Sequence, residues 1–132
     1  MRFARITFLF AGTWGVLVLV PFYFMLETVG RQSPPRVTHP EFYYGFVGVA
    51  LVWQFAFFVI GSDPVRYRPM MLPAMLEKFG HVATVTVLYL QGRMNATQYL
   101  FNLPDLLLGV LFVIAFSKTP SAALASPPGE RP

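Results

Sequence analysis

The chain has 132 residues, of which 55% are hydrophobic and 12% charged, with a formal net charge of +4 and no cysteine. Soluble domains carry about 25% charged residues, so too little polar surface is present to coat a soluble globule, and the missing thiols exclude disulfide frameworks and thiolate catalysis. The ten basic residues are scattered among apolar segments, a pattern that orients a protein in a membrane and does not point to nucleic acid.

Four segments have the roughly 20 mostly apolar residues that cross the hydrocarbon of a bilayer. They predict an all-α integral membrane bundle of four transmembrane helices, 6–26, 42–60, 70–90 and 98–116. Arg2 and Arg5 ahead of the first segment have the look of a signal peptide. Thr28-Val29-Gly30 is a poor cleavage site, however, and the apolar run is too long, so the segment is expected to stay. Pro21 interrupts it near its end.

The stretch GRQSPPRVTHP, 30–40, cannot continue a helix. Thr38 and Glu41 have the spacing of a capping box for the second span. Gly45, Gly48 and Ala50 allow close packing there, and Gln54 adds a polar group about seven residues from the end. Ser62-Asp63-Pro64 predicts a tight turn with Asp63 as cap.

The third span is the informative one. Its uncharged part, 79–90, covers only about 18 Å as a helix against a core of about 30 Å. The span must therefore take in Glu77 and Lys78. Glu77, His81 and Thr84 share one stripe, while Lys78 stands about 100° away and is expected to snorkel toward the headgroups. Glu77 and His81 are the candidate acid–base pair, held near neutrality by burial in the apolar layer. The bland alternative is a structural polar knot that also uses Gln54 or Lys78.

Asn95-Ala96-Thr97 matches a glycosylation sequon by chance, and Asn102 with Asp105 has capping spacing. Residues 119–132, rich in Pro, Ala and Ser, are expected to form a disordered tail. With four spans, both termini and the middle loop share a side. That side carries six Arg and Lys against three on the other, which puts both termini in the cytoplasm of a multi-pass protein of the plasma (inner) membrane. Tyr23, Tyr43, Tyr44 and Tyr99 then form an aromatic belt at the outer interface.

Glu27, His39, Glu41, Asn102 and Asp105 make a second polar group at the outer side. Glu27 lies four residues before Arg31, which can neutralise it, and Glu41 and Asp105 suit helix N-termini. The binding candidates are thus Gln54, Lys78, Thr84, Glu27 and Asp105. No metal site or cofactor is indicated, since His39 and His81 fall on opposite sides.

In size, span spacing and the glycines of its first helix (Gly12, Gly15), the region from Arg5 to Lys118 resembles the DoxX-like small bacterial four-helix membrane proteins. Phe24-Met25-Leu26-Glu27 and Ala50-Leu51-Val52-Trp53-Gln54-Phe55 resemble the first and second spans of the EXPERA group, which includes emopamil-binding sterol isomerases and the sigma-2 receptor. Ala50 stands where that pattern is acidic. The resemblance therefore implies a lipid-like cavity and argues against sterol isomerisation. The expected function is a non-enzymatic module in the lipid bilayer, binding a small hydrophobic ligand or joining a homo-oligomer or larger membrane complex. A membrane enzyme acting on a lipid-like substrate through Glu77 and His81 comes second, and a proton-coupled transporter third.

Overall fold

The computed structural model describes residues 2–125, which are all-helical with no strand among them. Helix α1, Arg2–Leu19, tightens into a 3-10 turn over Val20–Phe24. Pro21 causes the change, because it has no N–H for the α-helical ladder and its ring crowds the preceding turn. The Tyr43 hydroxyl donates at 2.7 Å to the Phe22 carbonyl, which also accepts from the Met25 N–H at 3.3 Å.

The remaining elements are α2 (Leu26–Gln32), α3 (Pro40–Ser62), α4 (Met71–Leu90, after a 3-10 turn over Arg68–Met70), α5 (Ala96–Asn102), α6 (Pro104–Lys118) and the single turn α7 (Ala122–Ala125). Three stretches are long and apolar enough to cross a membrane: Arg2–Phe24, Pro40–Ser62 and Ala96–Leu124. Helix α4 is not among them, although its 20 residues reach about 30 Å. It carries Glu77, Lys78 and His81 in place of apolar side chains.

Several helix ends differ from expectation. Helix α3 starts at Pro40, so its flanking residue is His39, not Thr38, and no side chain caps it. The His39 ring instead approaches Glu41 at 3.1 Å. Asp63 does close its turn, accepting the Arg66 N–H at 3.2 Å. Pro73 falls in the first turn of α4, where backbone N–H groups have no helical partner anyway. Asn95 and Gln98 form a complete capping box at α5, so this part of the sequon match has a structural use.

The expected fourth span is broken at Pro104, which starts a new helix one residue after Leu103. Thr119 is buried, and its carbonyl accepts from Arg68 Nε at 2.6 Å. The rest of the expected tail, 126–132, lies outside the described residues.

Helix α1 lies between α3 and α6, and α6 also packs on α4; α3 and α4 touch only sparingly. The bundle is therefore a ring with one loose seam. One end is basic. There Arg5 reaches the Ser62 carbonyl at 3.4 Å, Arg68 lies 3.7 Å over the Phe116 ring, and Lys118 lies 4.8 Å over Phe3. Above that end the ring is filled by a dry core. Phe8 stacks on Phe112 at 4.3 Å and Phe57 meets Phe112 edge-on at 5.0 Å, with Ala11, Ile60, Met71, Ala74 and Ala115 closing around them. Toward the opposite end, which carries loops 33–39 and 91–95, the aromatic filling gives way to a cavity.

Candidate functional site

The buried stripe of α4 is Met71, Ala74, Lys78, Val82 and Val85, spaced three or four residues apart. Lys78 therefore occupies the middle of the face that packs inward, and only 4% of it is exposed. This overturns the expected snorkelling. Its stem lies on the packed face, its ammonium sits 5.3 Å from the Phe57 ring at the top of the dry core, and two carboxylates hold it there.

Those carboxylates are Glu77, with Oε2 3.3 Å from Nζ, and Asp105, with Oδ1 3.2 Å away. The Asp105 contact is a well-formed hydrogen bond, whereas the Glu77 contact is close in distance and poorly aligned. Glu77 Oε2 is accordingly buried with no hydrogen-bond partner. An unfilled buried acceptor of this kind is costly unless something completes it.

His81 does not meet Glu77. Its Nε2 lies 2.8 Å from Asn102 Oδ1 and 4.0 Å from Asp105 Oδ2. Because the Asn102 amide donates to the Gln98 carbonyl at 2.8 Å, its oxygen is the end facing the ring, which makes Nε2 the donor. The anticipated Glu77–His81 pair is thus replaced by two units, Glu77–Lys78–Asp105 and His81–Asn102.

The break at Pro104 builds this arrangement. It sets Asn102 at the end of α5 and Asp105 in the first turn of α6, both against α4. Asn102 is therefore not the cap that its spacing suggested, since the residue before α6 is Leu103. The pattern Asn102-Leu103-Pro104-Asp105 holds the missed signal: a proline inside an apolar run with polar residues on both flanks.

Gln54 is 3% exposed, and its amide donates to the Ala50 carbonyl on its own helix at 2.8 Å. It lines the same cavity as the cluster but is not bonded to Glu77. Its side chain projects over Gly15 of α1, where an added Cβ would overlap the carboxamide. Glycine at that position is what lets a polar side chain enter the ring.

The cavity has a volume of about 480 Å³. Apolar walls come from Trp14, Phe22, Phe46 and Leu108, among others, and the polar groups are Gln54, Glu77, Lys78, His81, Asn102 and Asp105. That is the composition of a small-molecule site, a mostly apolar hollow with a few convergent polar groups. On the polar wall two carboxylates, Glu77 and Asp105, face the single ammonium of Lys78.

Two candidates lie elsewhere. Thr84 is exposed and donates to the Gly80 carbonyl of its own helix at 2.9 Å. Glu27 borders a separate depression with Gly30, Arg31 and Arg36, and no Glu27–Arg31 ion pair forms among the described residues. The same residues contain no group of three His, Cys, Asp or Glu placed to hold a metal ion. No family model, curated protein or solved structure matches the chain.

Proposed function

We propose that the chain is a four-span, multi-pass protein of the plasma (inner) membrane, with both termini cytoplasmic, and that it binds a small amphipathic ligand without transforming it. The burial pattern of α4 supports its role as the third of the four spans. Lys78 points into the bundle, while Leu72, Leu76, Val87 and Leu90 are exposed on its outer surface, where lipid would cover them. The excess of Arg and Lys at the end carrying Arg2, Arg5, Arg66, Arg68 and Lys118 supports the orientation.

One observation carries the ligand reading. An apolar-walled cavity of about 480 Å³ ends on a buried carboxylate oxygen that lies 3.3 Å from the Lys78 ammonium but accepts no well-formed hydrogen bond. A ligand with an apolar body and a hydrogen-bond-donating head fits both features. The resemblance to the EXPERA group implies a lipid-like cavity of the same general kind. A bound amphiphile needs no acid–base pair, and the His81 Nε2 hydrogen bond goes to Asn102 and not to Glu77.

Native mass spectrometry of the gently solubilised protein tests the proposal, wild type beside Glu77→Gln. The expected result is a bound mass of a few hundred daltons on the wild type, lost from a mutant that stays folded. Bare protein in both samples would refute ligand binding. A mutant that falls apart would make the cluster a structural knot.

A further inference from the structure

The two ends of the cavity are not equivalent. Toward the basic end, Lys78 rests on Phe57, and beneath it Phe8, Phe57, Phe112, Met71 and Ala74 show no exposed surface at all. The buried polar residues of that half are Thr7, beside Phe8 on α1, and Thr119 near the end of the bundle, whose carbonyl accepts from Arg68. Toward the opposite end, a line of polar groups runs to the loop. Asp105 approaches His81 at 4.0 Å, and His81 bonds Asn102 at 2.8 Å. Asn102 donates to the Gln98 carbonyl at 2.8 Å, and the Gln98 amide donates to Ser33 Oγ in the loop at 2.7 Å. The accessibility of the cluster follows the same direction: Lys78 is 5% exposed at its side chain, whereas Asp105 and His81 are 27% and 28% exposed.

The charge balance gives a second constraint. Lys78 spends its donors on Glu77, Asp105 and the Phe57 face, and the His81 Nε2 proton goes to Asn102. Acceptor capacity remains at Glu77 Oε2, which the Lys78 ammonium approaches at 3.3 Å without a well-formed hydrogen bond, and at the Gln54 carbonyl oxygen, for which no donor is recorded among the described residues. Helices α1 and α3 bring no charged group to the cavity wall, which holds two carboxylates and one ammonium, with His81 4.0 Å from Asp105.

We propose that the cavity is a vestibule open to water only at the end carrying loops 33–39 and 91–95, and that it admits small cations in preference to anions. This deepens the ligand reading, since it concerns the same cavity and says from which side and with which charge a head group arrives. It does not require that a ligand be found. Low-dielectric walls around a site richer in carboxylates than in ammonium groups concentrate cations and repel anions.

The absence of cysteine makes the test direct. Single cysteines at Ala50 and Leu108 report the cavity, Ala74→Cys reports the dry core, and Arg93→Cys and Arg66→Cys mark the two ends. Each variant is reconstituted in sealed vesicles and treated with membrane-impermeant thiosulfonates, one bearing a trimethylammonium group and one a sulfonate. Ala50→Cys and Leu108→Cys are expected to react from the Arg93 end alone. Relative to Arg93→Cys, the cationic reagent should react about tenfold faster than the anionic one. That preference should shrink when Glu77→Gln and Asp105→Asn are added. Ala74→Cys should react from neither end.

Reaction from the Arg66 end, equal rates for the two reagents, or no reaction from either end would each overturn the proposal, the last by showing that the cavity faces the bilayer. Should neither cavity cysteine fold, Trp14 fluorescence in Trp53→Phe protein replaces them. Quenching by caesium and not iodide, from the Arg93 side only, supports the vestibule, and any other pattern overturns it. Loss of the bound mass with intact cationic labelling would sink the ligand reading alone.

Discussion

The two halves of this bundle are made by the same helices and solve opposite problems. In the half beside the basic end, α1, α3, α4 and α6 contribute Phe8, Phe57, Met71 and Phe112, which interlock with small residues such as Ala11, Ala74 and Ala115. In the other half the same four helices leave a hollow and line it with Gln54, Glu77, Lys78, His81 and Asp105. A membrane bundle cannot rely on the hydrophobic effect to bring helices together, because lipid is as apolar as they are. Close packing therefore falls to the first half, and the second is free to hold polar groups at some cost in cohesion. Lys78 marks the border, with its ammonium between the Phe57 ring below and the Asp105 carboxylate above.

Substitutions should separate the halves. Phe112→Ala empties the centre of the aromatic stack and should lower stability most, by about 3–5 kcal/mol in a denaturation series. A loss as small as that of a surface change would mean the dry half is not what holds the bundle together.

Lys78→Met should come next. It strands Glu77 and Asp105, whose side chains are 23% and 27% exposed, so the loss is set at roughly 2–3 kcal/mol, below that for a fully buried pair. Adding Glu77→Gln and Asp105→Asn removes the stranded charges and should restore most of the loss. If the triple variant is no better than the single one, Lys78 matters through packing and not charge.

Gly15→Leu tests the cavity half without touching its charges. The side chain would displace the Gln54 carboxamide and fill the hollow, at a cost of about 1–2 kcal/mol. The bound mass should disappear while the fold persists. The smallest effect belongs outside both halves: Asn95→Ala removes the capping box of α5 and should cost about 1 kcal/mol in the same denaturation series. Any larger effect would tie the α5 cap to the position of Asn102.

Much of the fold was legible because membrane spanning is written in runs of single residues. The apolar segments near 6–26 and 42–60 correspond to α1 with its 3-10 extension and to α3. The polar character of the third segment and the candidacy of Glu77, Lys78, His81, Gln54 and Asp105 were likewise visible residue by residue. Their pairing was not. Sequence spacing put Glu77, His81 and Thr84 on one stripe and sent Lys78 to the headgroups, whereas α4 packs with Lys78 inward and Thr84 outward. The period of a helix defines which residues share a face; it does not say which face meets a neighbour. The regular series Met71, Ala74, Lys78, Val82 and Val85 contained that answer. A charged residue in the middle of it looked like an interruption.

Composition and the order of apolar runs by themselves determined that this chain is helical and suited to a bilayer, since both depend on local chain properties: backbone groups in lipid must be satisfied within the segment, and charge is expensive there. The site was decided by tertiary structure alone. Pro104 splits the last apolar run so that Asn102 and Asp105 both face α4, and Gly15 leaves room for Gln54 from α3. A partner for a buried charge is chosen by which helix lies within about 3 Å of it, and that distance depends on how the four helices close into a ring.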